Sequence, residues 1–131
     1  MKVFFYGLFM DTELLKKAGV HPLSQARGFV DNYTIEIGER ATLARCDGAK
    51  AYGVLMELEE ADVRKLYAET SVADYMPEEV DVKTDSGSTV KGTCYILHGN
   101  PSNSRNQKYA EALYKLAKIL GFPKEYLDKI R

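Results

Sequence analysis

Four stretches decide the fold: Gln25-Ala-Arg-Gly-Phe-Val30, Tyr33-Thr-Ile-Glu-Ile37, Ala41-Thr-Leu-Ala-Arg-Cys46 and Ala51-Tyr-Gly-Val-Leu-Met-Glu-Leu58. Each is rich in β-branched and aromatic residues and short enough for a strand. Asp31-Asn32 and Asp47-Gly48 separate them, and such pairs mark turns because short polar side chains and glycine suit tight backbone reversals. The reading is a run of antiparallel hairpins.

Outward from this block, Val3-Phe4-Phe5-Tyr6 is a further β-rich run, closed by Gly7. Strands follow at Val80–Thr84 and Thr89–Leu97, around the Asp85-Ser86-Gly87-Ser88 turn, after a loop through Pro77. A short helix is expected from Asp11, with Leu14, Leu15 and Ala18 as its apolar face. A second covers Glu60–Ala68 with a stripe of Val63, Leu66 and Tyr67, and Glu60 and Asp62 lie near its positive end. After a polar break from Asn100 to Asn103, a long helix runs from about Ser104 to Leu120, with Tyr109, Leu113, Leu116 and Ala117 on one face. Gly121 and Pro123 stop it, and Pro123 suits the start of a terminal helix. About six to seven short strands with few helices predict an α+β fold, a small mixed β-barrel with helices outside, since closure removes exposed edges.

The 131 residues suit one domain spanning 1–131. An apolar fraction of 45% and a charged fraction of 28% are globular values, which argues against disorder. With 18 basic and 19 acidic residues and no basic run, the chain lacks the footprint of a nucleic-acid binder. No stretch reaches the length of a membrane span, and the N-terminal apolar run is too short for a secretion signal, so a cytoplasmic protein is expected. Cys46 and Cys94 form no CxxC, and with His21 and His98 they show no zinc spacing. Both cysteines are expected to be buried, inert thiols. The expected partner is a small molecule, with neither metal nor organic cofactor.

Two places could carry chemistry. Tyr6-Gly7-Leu8-Phe9-Met10 joins a strand to a helix; glycine there gives unusual backbone freedom, and backbone N–H groups in such a turn can hold an anion or carbonyl oxygen. The second is Glu69, at the C-terminal end of the second helix. Partial burial and the helix dipole would both raise its pKa toward the range useful for proton transfer. Tyr75 would bring a phenol near Glu69, and Arg40 would pair with an acidic ligand. The plainer alternatives are a core-packed turn, a solvated glutamate, a barrel-edge tyrosine and a surface arginine. Gly53, inside a strand, marks a bulge or the close approach of another backbone.

In chain order these pieces resemble the gamma-glutamylcyclotransferase-like family. The resemblance rests on Val3-Phe4-Phe5-Tyr6-Gly7-Leu8-Phe9-Met10, on Ala51-Tyr52-Gly53-Val54-Leu55-Met56-Glu57-Leu58, and on Leu66-Tyr67-Ala68-Glu69 with Tyr75 and Glu79-Val80-Asp81-Val82. It implies a small barrel with its cavity at the Tyr-Gly loop, substrate held by Tyr6 to Phe9, and Glu69 as acid–base. It also implies a metal-free enzyme that releases 5-oxoproline and an amine from gamma-glutamyl compounds. Two departures stand out: Leu8 replaces the family's usual Ser or Thr, and Thr70 replaces the glycine after the glutamate, with Glu69 itself one place off the commonest Leu-to-Glu spacing. Two classes of function therefore remain, a cyclotransferase and a non-catalytic module that binds a small amide or acylated partner in the same barrel.

Overall fold

A computed structural model of the chain describes residues 1–98 and 105–131. Five strands form a closed barrel: β1 (Lys2–Phe5), β2 (Ser24–Ile37), β3 (Ala41–Glu57), β4 (Met76–Thr84) and β5 (Thr89–Ile96). Their order is β1-β3-β2-β4-β5, and a parallel contact between Val3 and Thr93 returns β5 to β1. All other pairings are antiparallel. The helices are α1 (Thr12–Lys17), α2 (Glu60–Tyr67), α3 (Gln107–Ile119) and α4 (Lys124–Ile130). The α+β barrel matches the expected class.

The strand count does not match. Gln25–Val30 and Tyr33–Ile37 belong to one long strand. Ala41–Cys46 and the stretch from Ala51 belong to another, which ends at Glu57, one residue short of the expected Leu58. Asp31-Asn32 and Asp47-Gly48 are not hairpin ends. They face each other as an irregularity in a continuous β2–β3 ladder, where the register passes from Asp31↔Lys50 to Tyr33↔Arg45. Asn32 and Gly48 both have positive φ (65° and 82°), and the Gly48 N–H donates to the Asn32 side-chain oxygen at 3.0 Å. The hairpin turns instead at Gly38-Glu39-Arg40, where the Gly38 N–H donates to the Arg40 carbonyl. β4 also begins earlier than expected. Pro77 lies inside it, opposite Tyr95, in the part of the strand that pairs with β5 alone. An edge without a second neighbour tolerates a residue that has no N–H.

Barrel closure needs small residues where strands converge. Gly53 faces Gly28 across the ladder, and a Cβ on Gly53 would collide with the Phe5 carbonyl oxygen and, at 2.7 Å, the Phe4 ring. The close-approach reading of Gly53 is the correct one. The core joins barrel residues such as Val3, Phe4, Val30, Met56 and Val82 to Leu113 and Ala117 of α3 and Ile130 of α4. Cys94 is buried, and burial pushes its thiol pKa far up. Cys46, expected to be buried, is exposed because it lies in the irregular part of β3. The predicted polar break and the start of the long helix at Ser104 fall outside the described residues.

Candidate functional site

Asp11 caps α1 by accepting the Glu13 N–H at 3.0 Å, and so holds the segment that leaves β1. Between them, Leu8–Met10 makes a single 3-10 turn. Its hydrogen bonds use the N–H groups of Met10 and Asp11, not those of Gly7, Leu8 or Phe9, as the first amides of any helical turn are left over. Gly7 itself has φ −107°, open to any residue. The expected need for unusual backbone freedom is therefore corrected to a need for space. A Cβ on Gly7 would stand 2.7 Å from the hydroxyl of Tyr109.

Tyr109 reaches this turn because α3 is tied to the β2–β3 hairpin. Asn106 donates its backbone N–H to Gly38 O (2.9 Å) and its side-chain amide to Glu39 O (3.3 Å). Its side-chain oxygen accepts the Tyr109 N–H, capping the helix. Burial raises the phenol pKa values of both Tyr109 and Tyr75; the Ala41 and Leu8 backbone offsets part of it at Tyr109, and the charge of Arg40, in the same hairpin turn, a smaller part at both. The Tyr75 hydroxyl donates to Ala41 O at 2.6 Å, and burial pushes its pKa up to about 12. The Tyr6 hydroxyl donates to Tyr95 O at 2.6 Å, and burial lifts its pKa well above the ordinary value.

These groups border a cavity of about 420 Å³, an ordinary size for a small-molecule pocket. All seven residues singled out in the sequence, Tyr6, Gly7, Leu8, Phe9, Arg40, Glu69 and Tyr75, line it. The sequence reading missed Tyr67, Tyr95, Tyr109 and Lys65, which line it too. Tyr67 and Tyr95 stack with centroids 3.9 Å apart, and Phe9 meets Tyr67 edge-on at 5.8 Å. In the sequence Tyr67 and Tyr109 read only as members of apolar helix faces. The available clue was tyrosine in place of leucine, since a buried phenol needs a partner for its oxygen.

Glu69 follows α2, past Ala68, in extended backbone (φ −60°, ψ 135°), and its carbonyl accepts the Val72 N–H. Its side chain caps nothing and is exposed, so the expected partial burial is corrected. The two-residue step beyond the helix lifts it to the cavity rim. Among the described residues, Glu69 is the one carboxylate lining the cavity; the other titratable groups there are tyrosines, Lys65 and Arg40. No cluster of His, Cys, Asp and Glu suited to a metal occurs among the described residues, and no described helix is long and apolar enough to cross a membrane.

A barrel with this topology and this loop-side cavity belongs to a known class. The AIG2-like family model matches residues 50–130, and the chain belongs to that family. Among solved structures, a protein named gamma-glutamyl cyclotransferase superposes with a TM-score of 0.82 at 21% identity, over 99% of this chain and 85% of that one. An uncharacterized protein from Homo sapiens gives 0.79 at 20%, over 98% and 85%. A yeast gamma-glutamyl cyclotransferase specific to glutathione gives 0.69 at 14%, over 99% and 93%. No curated protein matches by sequence. The gamma-glutamylcyclotransferase-like resemblance thus holds for family and fold.

Proposed function

We propose that the protein is a gamma-glutamylcyclotransferase-type enzyme, releasing 5-oxoproline and a free amine from a gamma-glutamyl amine or peptide, with Glu69 as general acid–base. The observation that carries this reading is that Glu69 is, among the described residues, the one carboxylate lining a cavity whose other titratable groups are tyrosines, Lys65 and Arg40. A phenol held up by burial does not take a proton near neutral pH, and neither does a guanidinium. Glu69 is the side chain left for that task.

The reaction is an internal acyl transfer. The Glu69 carboxylate takes a proton from the substrate's α-ammonium, and the freed amine attacks the δ-carbonyl. A five-membered ring forms, with the negative charge on the former carbonyl oxygen. That oxygen can accept from the backbone N–H groups of Gly7 and Phe9, donors whose direction is fixed before the charge develops, while the Leu8 N–H is turned to the Tyr109 hydroxyl. The ring nitrogen now carries one proton too many. As collapse breaks the bond to the leaving nitrogen, Glu69 returns its proton there. The regenerated carboxylate takes the surplus proton from the ring nitrogen and passes it to the departing amine, which leaves as an ammonium ion. No water or cofactor enters the balance. Well-aligned intramolecular attack reaches effective molarities of about 10⁵ M, so the protein has mainly to fix rotamers and move protons.

The exposure of Glu69 supports the second reading, a non-catalytic module that binds a small amide or acylated partner in the same cavity. Fold alone does not choose between them. Incubating the purified protein with a panel of gamma-glutamyl amines and dipeptides and assaying 5-oxoproline separates the two. Release of 5-oxoproline that requires Glu69 supports the enzyme. Inertness toward the whole panel, with retained binding, supports the module.

A further inference from the structure

The phenols of the cavity differ in what becomes of their protons. Tyr6 gives its proton to Tyr95 O, and Tyr75 gives its own to Ala41 O. Tyr67 and Tyr95 stack on one another, and no hydrogen bond from the described residues holds either hydroxyl. Tyr109 is wired in the opposite sense to the first two. Its oxygen accepts backbone N–H groups from Leu8 and Ala41, so it is held from both the Gly7 turn and the start of β3. No carbonyl or carboxylate among the described residues takes its proton. The hydroxyl stands over Gly7, 2.7 Å from where a Cβ would be, and burial keeps the phenol protonated.

A phenol oxygen that already accepts two N–H bonds has one direction left for its own proton, and for Tyr109 that direction is the cavity it lines. Accepting those bonds also polarises the O–H and strengthens it as a donor. We propose that Tyr109 is a catalytic residue whose O–H, beside the N–H groups of Gly7 and Phe9, donates to the substrate's δ-carbonyl oxygen as that oxygen becomes an oxyanion. The Leu8 amide then acts at one remove, through Tyr109. The tyrosine keeps its proton throughout, so the proton balance of the reaction is unchanged. The assignment rests on the cyclotransferase reading and adds a group to it. No reorganisation is needed at the moment of reaction, since Asn106 has already tied α3 to the β2–β3 hairpin.

The test changes one atom of the substrate and one of the enzyme together. A gamma-glutamyl amide and its δ-thioamide release the same amine, which is assayed for both, and sulfur is the weaker hydrogen-bond acceptor. Tyr109→Phe should lower kcat for the amide about 10²-fold, as loss of one oxyanion donor does, with KM moved much less. The thioamide should lose less, so the amide-to-thioamide ratio of kcat/KM should narrow by about tenfold. Tyr75→Phe removes a phenol whose proton is already committed, and it should leave the ratio where it was. If Tyr109→Phe does not fold, 3-fluorotyrosine placed at position 109 keeps the ring, the oxygen and both backbone bonds. Its more acidic phenol is a stronger donor and should widen the ratio. Equal losses for both substrates would mean that Tyr109 only packs, and would overturn the proposal. A wild type that releases 5-oxoproline while both changes at position 109 keep the ratio overturns the donor and leaves the reaction standing. A wild type that releases nothing from any gamma-glutamyl compound removes both.

Discussion

Gly28 and Gly53 face each other across the β2–β3 ladder, and a Cβ on either would strike a third strand. On Gly28 it would come within 2.6 Å of the Lys83 carbonyl oxygen of β4; on Gly53 it would meet the Phe5 carbonyl of β1. One glycine pair therefore lets β2 and β3 be approached from both sides, which a five-stranded barrel needs in order to close.

Gly53→Ala should destabilise the fold by about 3 kcal/mol, the upper end of the overpacking range, because the obstacle is backbone and cannot turn aside. Urea unfolding checks it. A loss within about 0.5 kcal/mol would show that β1 is not held against β3 as described.

Asn32 offers a ranking. Asn32→Gly keeps the positive φ and loses the hydrogen bond from Gly48, a net cost of about 1 kcal/mol. Asn32→Ala loses that bond and also forces a methyl side chain into the left-handed region, adding about 1–2 kcal/mol. Alanine should be the worse replacement in thermal melts, and the reverse order would argue against the irregularity in the ladder.

Tyr75 makes stability depend on alkaline pH. Its pKa is near 10 in the unfolded chain and pushed up to about 12 by burial in the folded one. The folded state then holds the proton more tightly, so this contribution is complete below pH 10 and is lost as pH rises toward 12. Tyr75→Phe should remove that share of the alkaline fall. At neutral pH it should cost about 1–3 kcal/mol, because the Ala41 carbonyl loses its donor. Denaturant midpoints measured from pH 7 to 11.5 for both proteins test the sign and the slope.

Glu69→Gln should lower turnover of a gamma-glutamyl substrate at least about 10²-fold, the lower bound for general acid–base catalysis. Its stability should stay within about 0.5 kcal/mol, as for an exposed residue that caps nothing. Turnover and melting temperature are read together. A folded variant with full activity would take Glu69 out of the mechanism.

Much of the fold could be read from residue pattern, and the misses have physical causes. The β-rich stretches, Asp11 as a helix cap and Gly121 as a helix stop are local signals, and the structure contains each. Asp31-Asn32 was misread because a turn and a strand irregularity ask for the same thing, a short polar residue that tolerates positive φ. Leu8, Arg40 and Tyr75 meet at one cavity, yet only the tertiary fold brings them there. Tyr109 could not be placed from the sequence. Its position depends on Asn106 binding Gly38 and Glu39, a contact between segments far apart in the chain. Helical periodicity reports which face is buried, not what the polar tips on that face will meet.

The cavity is lined by residues from Phe5 through Tyr109, and β1 completes the barrel by joining β3 on one side and β5 on the other. A nascent chain therefore has no pocket until its first strand is captured by strands made much later and α3 has emerged. Any ligand is available only to the finished molecule, so ligand binding should raise the unfolding midpoint of barrel and α3 together, with no partly folded form able to share in it.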